Sequence, residues 1–276
     1  MRSMDETSVR DEARKTETAP AALLHSTGRR SLTVFVPALN EEDHLAETME
    51  SIRGALNDTM ESWQIVIVND GSSDRTPRIA EQFAQSYPVI KAIHHARRMG
   101  LGKAYISAVE AATEDHFVFI PGDNSWPRDS ITALFRHLGQ ADVVTSYATN
   151  PRARRGGLRR FISAGYTVAL NIMHGLDLRY YNGLTIYPTA FLKTGPVTTF
   201  GFGFAAEALL HAIYRGMSYV EVGVPIQELA GGISKAVSTK NILSVAMTML
   251  RLFWILRVRR VHGLQRGNRR AAQARA

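Results

Sequence analysis

Short runs of apolar, largely β-branched residues alternate along this chain with longer stretches whose apolar positions recur every three or four residues. Leu32-Thr33-Val34-Phe35-Val36 reads as a strand, and Leu45, Met49, Ile52 and Leu56 then follow at helical spacing. Ile65-Val66-Ile67-Val68 reads as a second strand. Its unbroken β-branched run leaves no polar side, so both faces must be covered. A helix starts near Thr76-Pro77, where proline suits the first turn and Ser73 or Asp74 can act as the cap. A third strand spans Val89 to His94 and leads through Met99-Gly100-Leu101-Gly102-Lys103-Ala104 into a helix reaching Ala111. The fourth, Phe117-Val118-Phe119-Ile120, empties into Pro121-Gly122-Asp123-Asn124-Ser125-Trp126-Pro127. Repeated strand-helix units imply an α/β fold, with a mostly parallel sheet, right-handed crossovers and flanking helices.

Open parallel sheets bind ligands beyond the carboxyl ends of their strands. Asn69-Asp70-Gly71-Ser72 must turn there, since Gly71 admits backbone angles that other residues resist, and this puts Asp70 at that edge. Pro37-Ala38-Leu39-Asn40-Glu41-Glu42 forms the corresponding turn of the first strand, and Asp123 lies in that of the fourth. Taken alone, the Asp70 turn suits an ordinary connection as well as a ligand site. The glycine-rich loop before Ala104 has neither the dinucleotide nor the P-loop spacing.

In this order, Pro37-x-x-Asn40-Glu41, Asp70-Gly71-Ser72-x-Asp74-x-Thr76, Gly100-x-Gly102-x-Ala104 and an Asp123 turn closed by Pro127 resemble family 2 glycosyltransferases of the GT-A fold. Arg159-x-x-x-Ser163, and Val224-Pro225-Ile226 followed by Gly232-Ile233-Ser234-Lys235, are similar to the polyprenyl-phosphate, dolichol-phosphate mannose synthase-like branch. The resemblance covers roughly residues 31–235 and implies an inverting displacement at the anomeric carbon of a nucleotide-diphosphate sugar. It further implies that Pro37, Ala38, Asn40, Glu41, Asp70, Gly71, Ser72, Gly102 and Lys103 bind the nucleotide. Asp123, Glu207 and Arg159 would serve catalysis, with Asp123 holding a divalent metal, Mg²⁺ or Mn²⁺. Arg159, Ser163 and Lys235 would contact phosphates of donor or acceptor.

The chain departs from the family pattern in the metal turn, where Pro121 stands at the first of two acidic positions. A metal would then bind weakly, with the diphosphate supplying missing oxygens, or be dispensable. Asn69 replaces the acid before Asp70, an arginine common after the next strand is replaced around Tyr147, and the segment from Pro225 to Gly232 is short and lacks its usual arginine.

Composition adds the surroundings of that site. With 276 residues, 45% of them hydrophobic, the chain can bury one full α/β core with appendages. It has no cysteine, which removes disulfides and thiolate chemistry and permits a reducing compartment. Residues 1–30 mix charges with Ser, Thr and Ala and read as a disordered leader ahead of a domain over 31–235. The net charge of +8 is concentrated at the other end, where Arg251 to Ala276 holds eight arginines and no acid. Just before it, Ile242 to Leu256 contains 12 apolar residues in 15, with Asn241, Ser244, Thr248 and Arg251 forming a narrow polar stripe. A bilayer span needs about 20 apolar residues. Residues 236–260 therefore read as an interfacial amphipathic helix, and 261–276 as a basic tail. Arg257, Arg259 and Arg260 would be drawn to an anionic membrane surface. The alternative is a helix packed on the catalytic domain.

A second basic stretch, Arg152 to Arg160, leads into an amphipathic helix through Ser163–Met173, and arginine there suits a phosphate. Asn182-Gly183-Leu184-Thr185-Ile186-Tyr187 turns into a short strand, and Gly201 to Glu207 leads into a helix on the acceptor side. The preferred reading is a peripheral enzyme on the cytoplasmic, inner face of a membrane, moving a sugar onto a polyprenyl phosphate. The same fold would also serve a hydroxyl of a glycan, lipid or small metabolite, which needs a general base where an ionised phosphate does not. A nucleotidyltransferase would want a glycine-rich loop with an early lysine after the first strand, and none is present. The basic tail gives only an electrostatic footprint, so no specific nucleic-acid partner is expected.

Overall fold

The computed structural model describes residues 29–150, 157–198, 203–227 and 247–258. Strands β1 (Ser31–Ala38), β2 (Ser62–Asn69) and β3 (Ile90–His94) run parallel and are joined by helices α1 (Leu45–Thr59) and α2 (Thr76–Ser86). Helix α3 (Leu101–Ala111) leads back across the sheet to β4 (His116–Phe119), which pairs in parallel with the far side of β1. After α4 (Arg128–Arg136) come β5 (Val143–Ala148) and α5 (Gly157–His174). Strand β6 (Thr185–Pro188) then inserts antiparallel between β4 and β5. Helices α6 (Thr189–Lys193) and α7 (Phe204–Tyr214) precede β7 (Tyr219–Val224), which lies parallel to β5. The sheet order is β3-β2-β1-β4-β6-β5-β7, so the fold is the α/β, mostly parallel arrangement expected from the strand-helix pattern.

The alternation along each strand explains why the strands read as unbroken apolar runs. Val34, Val36, Ile65 and Ile67 share a core with Met49, Ile52 and Leu56 of α1 and Ile131, Leu134 and Phe135 of α4. Phe35, Val66, Val68 and Phe117 share the opposite core with Ala104 and Ala108 of α3 and Leu209 and Leu210 of α7. Arg30 ties down the first of these layers. Its Nε donates to the Thr59 carbonyl at 2.8 Å, Nη2 to that of Phe135 at 2.8 Å and Nη1 to that of Leu138 at 3.1 Å. One guanidinium thereby binds three carbonyls at and just beyond the C-terminal ends of α1 and α4.

Residues 247–258 form a helix whose second half, Phe253–Val258, is π-helical. The interfacial helix expected over 236–260 is described only in this part. Leu252 and Leu256 are buried in the core shared with α3 and α7, while Met247, Leu250 and Trp254 are 64%, 65% and 55% exposed. Of the polar stripe, Thr248 and Arg251 are among the described residues and both touch the domain: the Thr248 methyl lies 2.8 Å from where a Cβ on Gly203 would sit, and Arg251, though exposed, donates through Nη2 to Thr198 Oγ1 at 2.8 Å. Among the described residues no helix is long and apolar enough to cross a membrane. The expected leader, except for residues 29 and 30, and the basic tail lie outside the described residues.

The same helix buries His174 at the end of α5, between the rings of Tyr214 and Phe253. Its Nδ1 is 3.0 Å from the Tyr214 hydroxyl, and Nε2 has no hydrogen-bond partner. Burial, and after it the charge of Arg257, pushes this imidazole down to about 4. An unfolded histidine titrates near 6.5. The native state therefore binds fewer protons between those values, so stability is complete above about pH 6.5 and falls as pH drops toward about 4. The loss is on the order of 2–3 kcal/mol for this group. Burial shifts His116 in the same direction. His174→Phe should flatten the acid limb of a thermal-unfolding series run between about pH 7 and about pH 4.5. Equal losses in parent and variant would reject this assignment.

Candidate active site

The chain leaves β1 for β2 on one side and returns to β4 on the other, so the loops after β1 and β4 flank a topological switch point, where open α/β sheets hold ligands. They are in contact there: a Cβ on Gly122 would lie 2.9 Å from the Pro37 carbonyl. The loop after β1 is also laced to the loop after β2. Asn40, in the left-handed region at φ 57°, donates its N–H to Ser72 Oγ at 3.0 Å and accepts from the Ser73 N–H at 2.9 Å. Glu41 N–H donates to Thr76 Oγ1 at 2.8 Å, and Glu42 N–H to Asp74 Oδ2 at 3.2 Å. Asp74 Oδ1 accepts from Thr76 N–H at 2.9 Å beside the start of α2, whose N-cap position is Arg75, with no side-chain cap, rather than Ser73 or Asp74. Pro37, Ala38, Asn40, Glu41, Gly71 and Ser72 are thus brought to one rigid rim.

Asp70 stands at the centre of that rim, 5% exposed, and its carboxylate is occupied by protein. Oδ1 accepts from the Met99 N–H and Oδ2 from the Gly100 N–H, both at 2.8 Å, and His95 Nδ1 lies 2.8 Å from Oδ1. A carboxylate only accepts, so Nδ1 of His95 carries a proton, and its Nε2 lies 3.2 Å from Ser107 Oγ. Gly71 completes the contact at φ 74°: a Cβ there would lie 2.6 Å from the Arg97 carbonyl carbon. Asp70 therefore fixes the glycine-rich loop that enters α3. Gly102 is buried and Lys103 half-buried in the first turn of that helix, with Lys103 N–H donating to the Gly100 carbonyl at 3.1 Å.

Asp123 lies half-buried in the turn after β4, where Oδ1 accepts from the Ser125 N–H at 3.1 Å. Thr48 of α1 holds this turn, accepting from the Asn124 N–H at 3.0 Å and donating to the Gly122 carbonyl at 3.1 Å. Among the described residues no group of three or more acidic, histidine or cysteine side chains could hold a metal. The donor set suits a divalent cation only when diphosphate and water oxygens complete it, with Asp123 as the protein ligand.

On the other side of the crevice, the Phe204 ring at the start of α7 is 5.7 Å from that of Phe119, which leads into the Asp123 turn. This brings Glu207, in the first turn of α7 and 2% exposed, to the same edge of the sheet. Glu207 Oε1 accepts from Thr198 Oγ1 at 2.8 Å and Oε2 from Thr198 N–H at 3.1 Å. Ser163 is half-buried in α5, its carbonyl accepting from Thr167 Oγ1 at 3.2 Å. Arg159 belongs to the first turn of α5, but its side chain lies outside what is described, as do Lys235 and most of the 152–160 run.

The sequence model of glycosyl transferase family 2 matches residues 33–201. The chain belongs to that family. It is 31% identical over 159 residues to a dolichyl-phosphate beta-glucosyltransferase of Trichomonas vaginalis, covering 52% of this chain and 49% of that protein. It is 27% identical over 216 residues to the undecaprenyl-phosphate mannosyltransferase of Micrococcus luteus, covering 75% of this chain and 87% of that one. The chain spans about half the length of the Trichomonas relative. Its fold is similar to glucosyl-3-phosphoglycerate synthase from Mycobacterium tuberculosis, solved with Mn²⁺, UDP-glucose and phosphoglyceric acid. The TM-score is 0.62 at 21% identity, over 82% of this chain and 80% of that one.

Beside the family 2 motifs the structure places residues that the sequence did not single out. Arg179, from the loop before β6, donates through Nη1 to the Tyr147 hydroxyl, with its guanidinium 4.6 Å from that ring's centroid. A cation thus stands at the end of β5, at the position where the sequence lacks an arginine. It takes part in none of the ion pairs among the described residues. His95 and Thr198 were likewise silent, since each acts by holding another site residue. The only local hint for His95 was a histidine pair ending a strand.

Proposed function

We propose that this family 2 protein is an inverting glycosyltransferase that moves a sugar from a nucleotide-diphosphate sugar to a polyprenyl phosphate. The observation that carries the lipid acceptor is the distribution of exposed apolar side chains. Among the described residues, five of the seven large ones, Val168, Ile172, Met247, Leu250 and Trp254, lie on α5 and the helix 247–258, which pack together on the acceptor side. Isolated exposed apolar residues are ordinary, but five of them on two helices in contact, the second running in sequence into an arginine-rich segment, suit an anionic lipid surface. The protein would then sit peripherally on the inner face of a membrane, its catalytic domain over about 31–235 in the cytoplasm.

In this reading the rim from Pro37 to Glu41, with Gly71 and Ser72, lines the nucleotide, while Asp70 holds Gly100, Gly102 and Lys103 in register beside it. Asp123 would hold the metal, whose chemistry is to neutralise charge on the departing diphosphate. Preorganised charge of this kind is commonly the largest catalytic contribution. Arg159, Arg179, Ser163 and Lys235 supply donors for the phosphates. An ionised acceptor phosphate needs no base, so there Glu207 would orient the groups around the acceptor, whereas it would be the base for a hydroxyl acceptor. That second reading is favoured by the buried acid itself and by a structural neighbour whose ligand is phosphoglyceric acid.

The decisive experiment is a panel of UDP- and GDP-sugars assayed for turnover alone, with a short polyprenyl phosphate in detergent, and with 3-phosphoglycerate. Turnover driven by the lipid phosphate is expected; turnover driven only by the small acceptor selects the hydroxyl reading. Activity should also rise with Mg²⁺ or Mn²⁺ without saturating at low concentration, because one carboxylate is a weak ligand set. Full activity in chelator, unchanged by added metal, would assign the leaving-group charge to the arginines.

A further inference from the structure

Thr198 sits between two side chains that the sequence assigns to different tasks. Its hydroxyl is 2.8 Å from Glu207 Oε1 and 2.8 Å from Arg251 Nη2. A guanidinium can only donate and a carboxylate only accept, so the threonine proton must point at Glu207 and an oxygen lone pair at Arg251. The Thr198 N–H donates to the other Glu207 oxygen at 3.1 Å, which fixes both oxygens of the carboxylate relative to the backbone. The helix bearing Arg251 is anchored by Leu252 and Leu256 in the core and abuts Gly203, the residue preceding α7.

We propose that Arg251 is a positioning residue, which sets the orientation of the acceptor-side acid Glu207 through Thr198. This rests on the glycosyltransferase reading for its catalytic consequence, not for its geometry. It also gives Arg251, the one charge in the largely apolar run from Ile242 to Leu256, a partner in the domain. Since the same helix exposes Met247, Leu250 and Trp254, the element facing a lipid surface and the acid at the acceptor are joined by a chain of two hydrogen bonds.

The test compares the full-length parent with Arg251→Ala, Arg251→Lys, Thr198→Val and the Arg251→Ala/Thr198→Val pair, using the UDP- or GDP-sugar and acceptor that the parent turns over. Arg251→Ala should lower kcat about tenfold while the donor KM stays within about twofold, and Arg251→Lys should recover most of the loss. In the Thr198→Val background, Arg251→Ala should add nothing, because both act on one interaction. An unchanged kcat in Arg251→Ala, or losses that multiply in the pair, would overturn the proposal. Should Arg251→Ala fail to fold, Thr198→Val carries the test, with a kcat loss expected and an unchanged kcat overturning it. A parent inactive on every donor refutes the enzyme reading instead. The relay is then judged by hydrogen exchange at the Thr198 amide, which Arg251→Ala must accelerate and which, if unchanged, refutes it.

Discussion

Replacing Asp70 by Asn should weaken UDP and GDP binding by about a hundredfold and also lower the melting temperature. The carboxylate accepts two backbone N–H groups, from Met99 and Gly100, and pairs with His95, all at 2.8 Å. An amide has one acceptor oxygen, so in either orientation its NH₂ faces a backbone N–H or the His95 Nδ1 proton. Buried hydrogen bonds to a charged group contribute about 1.5–3 kcal/mol each, so losing one or two releases the loop that enters α3. The loss of affinity is indirect, since the loop and Lys103 are held by Asp70. Calorimetric titration of both nucleotides against parent and variant, beside thermal unfolding, checks this. Equal affinities for every nucleotide the parent binds would mean that the loop is no part of the donor site.

The Asp70 case marks what the chain made legible and what it did not. The strands β1, β2, β3 and β4 were readable because parallel strands covered on both faces must be apolar at successive positions, and their turns had to fall at one edge. Strand β6 was seen as a short strand, yet its direction depended on pairing with β4 and β5, which no local pattern encodes. Strand β5 carried only a short apolar run, and β7 alternates through Glu221 and Gly223; both needed the sheet to define them. That the candidate site residues Pro37, Asn40, Asp70 and Asp123 fall at or just beyond the strand ends was likewise legible by position. Their bonding was not. Asp70 binding to the Met99 and Gly100 amides spans a sequence separation that no motif expresses, and Arg179 reaches Tyr147 only because the loop before β6 returns to the end of β5.

Hydropathy alone also left the C-terminal segment undecided between a lipid surface and a packed helix, and the geometry separates the two by side chain. Removing the packed face, as in Leu252→Ala or Leu256→Ala, should cost about 2–5 kcal/mol of stability in each case, because both side chains are fully buried in the core. Removing the exposed face, in the double variant Leu250→Glu/Trp254→Glu, should leave the melting temperature unchanged, since neither side chain contributes to that core. Its effect belongs to membrane binding. Inserting an exposed Leu or Trp into a bilayer interface is worth on the order of 2 kcal/mol, and an added carboxylate is repelled by an anionic leaflet. Sedimentation with phosphatidylglycerol vesicles at low salt should therefore show binding by the parent, at least a tenfold loss in the double variant, and release of the parent by salt as its arginines are screened. A parent that ignores the vesicles, or a double variant that binds them as well as the parent, would leave the five exposed apolar residues without a lipid partner and return the acceptor to the soluble, hydroxyl-bearing class.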